Sequence, residues 1–361
     1  MNGCLPVDFF MRRILHHPFF IRLLHWEYWH SRIVYAPLYP FWLWFSLRAR
    51  SFFFLTAANP HIRNGGFIME SKKDIYDQLP DGIYPVTCYF EKSVTAATVL
   101  ATMQAKRLSF PLIAKPDHGE RGLGVKKING PDELVDYTTR IPVAWLLQEY
   151  VPYPHEAGIF YYRFPGEARG RISGIVNKEP VTVTGDGRQT IAMLVRNNPR
   201  YLLQWTQIRR QYAHRLHEIL PAGEVLVLVP YGNHSRGSKF TDISHRITPQ
   251  LTTVIDNICR QMPEFYYGRL DVRYRDWESL ERGENISVIE VNGSGSEPTH
   301  MYDPGHSLFY AWKEIVRHWQ ILFRISKANH RRGIPYASLR KGREEIHAFR
   351  RIDALLSAQL W

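Results

Sequence analysis

Cysteine is scarce in this 361-residue chain, with only Cys4, Cys88 and Cys259, far apart and in no CxxC or Cys/His spacing. That excludes a disulfide framework or a zinc site and points to a reducing compartment, the cytoplasm. A hydrophobic run of the ~20 residues needed to span a bilayer is missing too. The most apolar stretch, Tyr35 to Leu47, is interrupted by Pro37 and Pro40 and followed by Arg48 and Arg50. No compact apolar leader with a small-residue cleavage site is recognisable. No GxGxxG opens a helix and no GK[ST] closes a glycine loop, so neither a dinucleotide fingerprint nor a Walker loop is present. Internal repeats, low-complexity tracts and heptads are absent as well.

What is present is a globular composition, 45% hydrophobic, with 46 Lys+Arg against 34 Asp+Glu and a net charge of +12. The length allows two or three packed units. The positive charge suits nucleic acid, an anionic membrane or anionic small molecules. No nucleic-acid reader motif accompanies it, so nucleic acid is not expected as a partner. Both ends are basic: residues 1–50 hold six Arg against Asp8 and Glu27, and residues 331–361 hold six Arg and Lys341 against three acids. The first 65 residues interleave these cations with Trp26, Trp29, Trp42 and Trp44. Such a segment fits an interfacial element on an anionic bilayer, peripheral to the membrane, and equally an aromatic strap packed on the main domain.

From Ser71 the pattern is that of a mixed α/β enzyme. Leu112 to Pro116, Trp145 to Val151 and Val225 to Val229 read as strands, the last as a buried one. Thr248-Pro249 starts a helix with Leu251, Val254, Ile255, Ile258 and Met262 on one face, and a long amphipathic helix is expected over about 307–327. The most informative segments are Tyr266 to Asp276 and Ile286 to His300, read as neighbouring strands. Period-two alternation puts Arg269, Asp271 and Arg273 on one face and Glu290 and Asn292 on one face. Carboxylates among Val, Ile and Leu need compensation by cations. Asp, Glu and Asn without His or Cys fit magnesium, with manganese as the alternative, held together with phosphates. Lys115 ends a strand ahead of a loop containing Gly119, Gly122 and Gly124, where backbone amides can approach an anion.

Taken in order, these segments resemble the ATP-grasp superfamily of carboxylate-amine ligases, which includes D-alanine:D-alanine ligase. The stretches Asn177 to Val195 and Val225 to Ile247 resemble the ATP-grasp part of cyanophycin synthetase, with Asn233, Ser235, Gly237 and Asp242 in its spacing. The resemblance implies an α+β ATP-grasp fold of two subdomains clasping ATP, at 66–150 and 151–328, with the aromatic segment 1–65 before them and a basic tail 329–361 after. It implies an ADP-forming ligase making an amide or peptide bond through an acyl phosphate. The same nucleotide site would also serve a kinase, or a membrane-associated protein that binds ATP without catalysis. Lys72, Lys115, Gly122 and Gly124 would take phosphates; Arg236, which departs from the resemblance by standing where the relatives are usually uncharged, or Lys239 is a candidate contact for the terminal phosphate. Gln148, Glu149 and Val151 would take adenine and Glu156 ribose. Asp271, Glu290 and Asn292 would hold the metal, and Arg269 would stabilise charge at the reacting centre. Ser294, Ser296, Glu297 and His300 are position-based candidates for substrate contact.

Overall fold

The computed structural model describes residues 17–120, 122–229, 232 and 234–358. The chain is a mixed α+β protein, and its backbone contacts divide it into two compact units. The first comprises residues up to Tyr39 together with 178–241 and 301–311; the second comprises 40–177, 242–300 and 312 onward. Among the described residues, eleven strands form: β1 (Thr87–Phe90), β2 (Leu112–Pro116), β3 (Lys126–Ile128), β4 (Trp145–Glu149), β5 (His155–Tyr162), β6 (Arg171–Glu179), β7 (Val181–Thr184), β8 (Val225–Val229), β9 (Lys239–Asp242), β10 (Tyr267–Tyr274) and β11 (Ile286–Asn292). Among the same residues no helix is long and apolar enough to cross a membrane.

The second unit holds two sheets. One has the antiparallel order β1-β4-β2-β3. Its inward side chains, Leu112, Ala114, Trp145 and Leu147, pack on Val99 and Met103 of the Ala96–Ala105 helix and on Leu134 and Tyr137 of the Pro131–Arg140 helix. In the other sheet β11, β10, β5 and β6 are consecutive antiparallel neighbours. Leu270, Val272, Val288 and Ile159 meet Leu251, Ile255, Ile258 and Cys259 of the Pro249–Gln261 helix. Thr248 caps that helix, its hydroxyl accepting from Leu251 N at 3.2 Å, and Pro249 follows at the position where a missing N–H costs nothing. Phe160 and Tyr267 join a third cluster with Phe54, Leu55 and Leu322, the last on the Leu308–Arg331 helix. Cys88 and Cys259 are both buried thiols.

The first unit is smaller. β7 and β8 form a two-stranded ribbon, and Val181, Val183 and Leu228 pack on Ile191, Val195 and Ile208 of short helices. The expectation that Val225–Val229 is a buried strand fails: Leu228 is buried, while Val225 and Val227 are exposed. A lone ribbon covered on one face buries only alternate residues, whatever the outward ones are. Glu27 is buried in this unit, its carboxylate gripped by Arg200 at 2.9 and 3.0 Å and by His234 at 3.2 Å. Burial alone would raise its pKa, but His234 and Arg200 outweigh that and hold it below the usual carboxylate range.

Part of the aromatic leader belongs to the core of the second unit. Asn59, fully buried, accepts at Oδ1 from the amides of Tyr266 and Tyr267 and donates from Nδ2 to the carbonyls of Gly65 and Tyr267, all at 2.9–3.0 Å. One side chain thus satisfies backbone groups at the start of β10 and in the turn after Ile62.

Candidate functional site

The β10–β11 pair carries the charged face. The register sets Arg269 opposite Asn292 and Asp271 opposite Glu290, so all four residues lie on one side of the sheet, as their alternation requires. Between Asp271 and Val272 the register slips, because Val272 pairs with Val288 and leaves Ile289 as an extra residue. Arg269 grips Asp271 with Nε on Oδ1 at 2.9 Å and Nη2 on Oδ2 at 3.1 Å, while Nη1 reaches the carbonyl of Glu297 at 3.4 Å. Asp271 is buried, so this bidentate partner compensates much of its desolvation. On β5 the residue facing Asp271 is Gly158, where an added Cβ would lie 2.9 Å from Val176 Cγ1 and 3.0 Å from Asp271 Oδ1. The ion pair occupies space that any larger residue there would take.

Lys115 of β2 reaches the backbone of β11. Its ammonium donates to Tyr76 Oη at 2.7 Å, Gln148 Oε1 at 2.9 Å and the carbonyl of Ile289 at 3.0 Å. The last acceptor belongs to the extra residue of the β11 bulge, a carbonyl that also accepts from Tyr76 Oη. All three ammonium protons are therefore engaged. Burial lowers the lysine pKa from its ordinary value to about 8, with Glu290 acting against the shift. Gln148 uses its amide nitrogen on Thr87 Oγ1 at 2.8 Å.

Lys72 opens the helix Lys72–Tyr76, whose cap Ser71 accepts from Asp74 N. Buried Asp117, just beyond β2, ties this turn down: its Oδ1 accepts from Ser71 Oγ at 3.1 Å and from Lys73 N at 2.9 Å. Lys72 Nζ donates to the carbonyls of Asp117 at 3.2 Å and Gly119 at 2.8 Å, which places the ammonium at the root of the glycine loop. A cavity there is lined by Glu70, Lys72, His118, Gly119, Glu290 and Asn292, with Phe349 at its side. Burial raises the Glu70 pKa, and Glu290 adds to that while Lys72 and His118 oppose it.

The turn preceding Lys72 meets the loop that follows β11. Ser294 N donates to Gly65 O at 3.0 Å and Gly295 N to Gly66 O at 2.8 Å. The approach is so close that a Cβ on Gly66 would lie 2.6 Å from Gly293 Cα, and Gly66 has φ +76. In this loop and at the end of β11, Asn292 Nδ2, Ser294 Oγ and Thr299 Oγ1 are buried without a hydrogen-bond partner. Such orphaned groups cost free energy unless something polar engages them.

Of the residues singled out in the sequence, Lys72, Glu290 and Asn292 line one cavity, and Arg269 and Asp271 share the sheet face with the last two. Lys115 and Gln148 touch each other. Gly122 and Gly124 lie in the glycine loop with φ +69 and +72. Glu149 ends β4 exposed, its backbone N–H donating to Val86 O at 2.9 Å. Val151 and Glu156 are both engaged by Arg273, which donates to Val151 O at 3.2 Å and stands 3.6 Å from the Glu156 carboxylate. Arg236 and Gly237 belong to the first unit and Asp242 to the second; Asn233 and the Ser235 side chain lie outside the described residues. Ser296 donates to Gly293 O at 2.6 Å, and His300 is buried 3.2 Å from Glu314. Sequence reasoning gives no role to Glu70, Tyr76 or His118 and places Arg273 on the Asp271 face without a role of its own; Glu70 and Tyr76 flank Lys72 with no motif to mark them.

The donor chemistry fits a hard divalent cation: two carboxylates and an amide oxygen on one sheet face, beside an amide nitrogen with no partner. Among the described residues no group of three or more His, Cys, Asp or Glu side chains gathers as a metal site.

No family model and no curated protein matches the chain. Among solved structures it is similar to a bifunctional glutathione synthetase from Pasteurella multocida, with 15% identity, TM-score 0.37, and 72% of this chain against 38% of that one covered. It is similar to the D-alanine–D-alanine ligase of Bacillus anthracis, with 14% identity, TM-score 0.41, and 73% and 68% covered. The D-alanine–D-alanine ligase of Coxiella burnetii matches with 11% identity, TM-score 0.42, and 75% and 61% covered. The chain thus spans little more than a third of the first of these proteins and about two thirds of the other two.

Proposed function

We propose that this chain is an ADP-forming ATP-grasp ligase that joins a small-molecule carboxylate to an amine through an acyl phosphate. The observation that carries the reading is the shared cavity of Lys72, Glu290 and Asn292 at the root of the glycine loop, next to the Arg269–Asp271 pair. Cations and hard oxygen donors are both needed where a nucleoside triphosphate reacts.

In this reading the substrate carboxylate attacks the γ-phosphorus, the bond to the bridging oxygen of ADP breaks, and the amine then displaces phosphate from the acyl carbon. Lys72 and Lys115 hold phosphate oxygens, with Gly122 and Gly124 as further phosphate contacts. Arg269 stabilises negative charge on the reacting oxygens, a type of contribution worth about 3 kcal/mol. Adenine rests against the strand end at Gln148, Glu149 and Val151. The Gln148 side chain is already committed to Lys115 and Thr87, so main-chain groups carry most of that recognition. Glu156 takes the ribose while sharing its carboxylate with Arg273. Asp271, Glu290 and Asn292 would hold magnesium, which when bound neutralises charge on the β and γ phosphate oxygens.

The test is ADP release from the purified protein with magnesium and ATP, across pooled carboxylates with and without pooled amines, with Asp271→Asn as control. Amine-dependent release that the variant lacks supports the ligase. Release independent of amine replaces it with a kinase, and equal release by Asp271→Asn overturns the site itself.

A further inference from the structure

The helix Tyr39–Ala49 is apolar on every side, yet only one side is covered. Its inward face is fixed in the second unit: Trp42 lies 4.8 Å from the Phe54 ring and 5.0 Å from Trp319, and Phe45 stacks on Phe323 at 5.3 Å. Its outward face presents Phe41 at 46% exposure, Leu43 at 53%, Trp44 at 57% and Leu47 at 73%, and Phe52 follows at 46%. A surface helix of a globular protein ordinarily turns polar residues outward. The spacing 41, 44, 47 and 48 makes this face continuous along the helix.

The charges in the sequence on either side of it are of one sign. From Tyr28 to Met69 there is no Asp or Glu, and there are four Arg. Arg48 and Arg50 are exposed at the end of the helix, and the Arg48 guanidinium stands 5.8 Å from the Trp44 ring. A two-fold contact between two copies of this face would set arginine against arginine with no acid from this stretch to answer them. An anionic lipid surface answers both features: headgroup phosphates meet the arginines, and the acyl boundary takes Leu47, Trp44 and Phe41. Eleven residues give about 16 Å of helix, suited to lying in the interface and too short to cross it.

We infer that the outward face of the Tyr39–Ala49 helix, continued by Phe52, is a docking surface for an anionic bilayer. The inference goes beyond the ligase reading and does not rest on it.

The experiment is flotation of the full chain with vesicles of phosphatidylglycerol and phosphatidylcholine at about 30:70, against phosphatidylcholine alone. The protein is expected to float with the anionic vesicles and to lose most of that binding at about 0.5 M salt. A variant carrying Phe41→Ser, Trp44→Ser and Leu47→Ser should partition at least tenfold less while keeping its circular dichroism spectrum. Arg48→Gln with Arg50→Gln should weaken binding to anionic vesicles by about tenfold or more, at about 1 kcal/mol per arginine. Absence of flotation, or undiminished flotation of the triple serine variant, overturns the inference. So does light scattering that shows a dimer converted to monomer by the triple variant, since a second copy would then be the occupant.

Discussion

Two polar regions of the second unit are built from similar residues and finished differently. Around Lys115 every donor has an acceptor within the protein: the ammonium uses Tyr76, Gln148 and Ile289, and Gln148 passes its own amide on to Thr87. At the end of β11 and in the loop after it, Asn292, Ser294 and Thr299 each leave a buried polar atom without a partner. The first region is complete as folded, so a phosphate that reaches Lys115 must share the ammonium with Tyr76, Gln148 and Ile289. The second keeps polar capacity in reserve, which is where a ligand with several oxygens gains most.

The largest expected effect separates the two regions by activity. Asp271→Asn and Glu290→Gln should each reduce ADP formation by about a hundredfold or more; Glu290→Gln should unfold close to wild type, whereas Asp271→Asn should also unfold at lower temperature because it leaves the Arg269 guanidinium without its buried carboxylate. Lys115→Met should sharpen the contrast by weakening ATP binding tenfold or more, measured by calorimetry, while its effect on stability is small. Removing a buried cation relieves desolvation as it orphans the Gln148 acceptor, and these terms of a few kcal/mol oppose each other.

Titration gives a third break. The folded pKa of Lys115 is lowered to about 8, below its unfolded value of ~10.4. Between these values the unfolded chain binds the proton that the folded chain has lost, so this group makes stability rise with pH across that window. The destabilisation it causes is fully present below pH ~8. Denaturant unfolding at several pH values should show that rising component in wild type and not in Lys115→Met. ATP affinity should move the opposite way, falling as the ammonium is neutralised.

Smaller effects come from the supports. Asn59→Ala should lower stability by about 2–3 kcal/mol, because four backbone bonds lose their common partner at a buried position. Gly66→Ala should cost about 1–3 kcal/mol and loosen the loop carrying Ser294, read as a rise in KM with little change in kcat.

The charged face was legible because alternation along a strand needs no tertiary information: Arg269, Asp271, Glu290 and Asn292 fall on one side from spacing alone. The capped helix at Thr248 was legible for the same local reason. The slip at Ile289 was not, since nothing in ISVIEVN marks which residue is extra, and without it the acceptor that anchors Lys115 is invisible. Neither was the split of the aromatic leader. Phe41, Trp44 and Leu47 are as apolar as Phe53, Phe54 and Leu55, yet the first three face out and the last three are buried. Composition does not distinguish them; the partner surface does.

The C-terminal helix Leu339–Ala358 touches the glycine loop. Leu356, fully buried, would meet a Cβ built on Gly119 at 3.1 Å and one on Gly124 at 3.4 Å, and Tyr137 donates to Gly124 O at 2.8 Å. The loop therefore cannot rearrange without either carrying the last turn of that helix along or parting from it. A fluorophore on the exposed neighbour Ser357 would be a remote gauge of the loop, read from a position far along the chain: a change in its signal on adding ATP is the expected sign that the loop has moved.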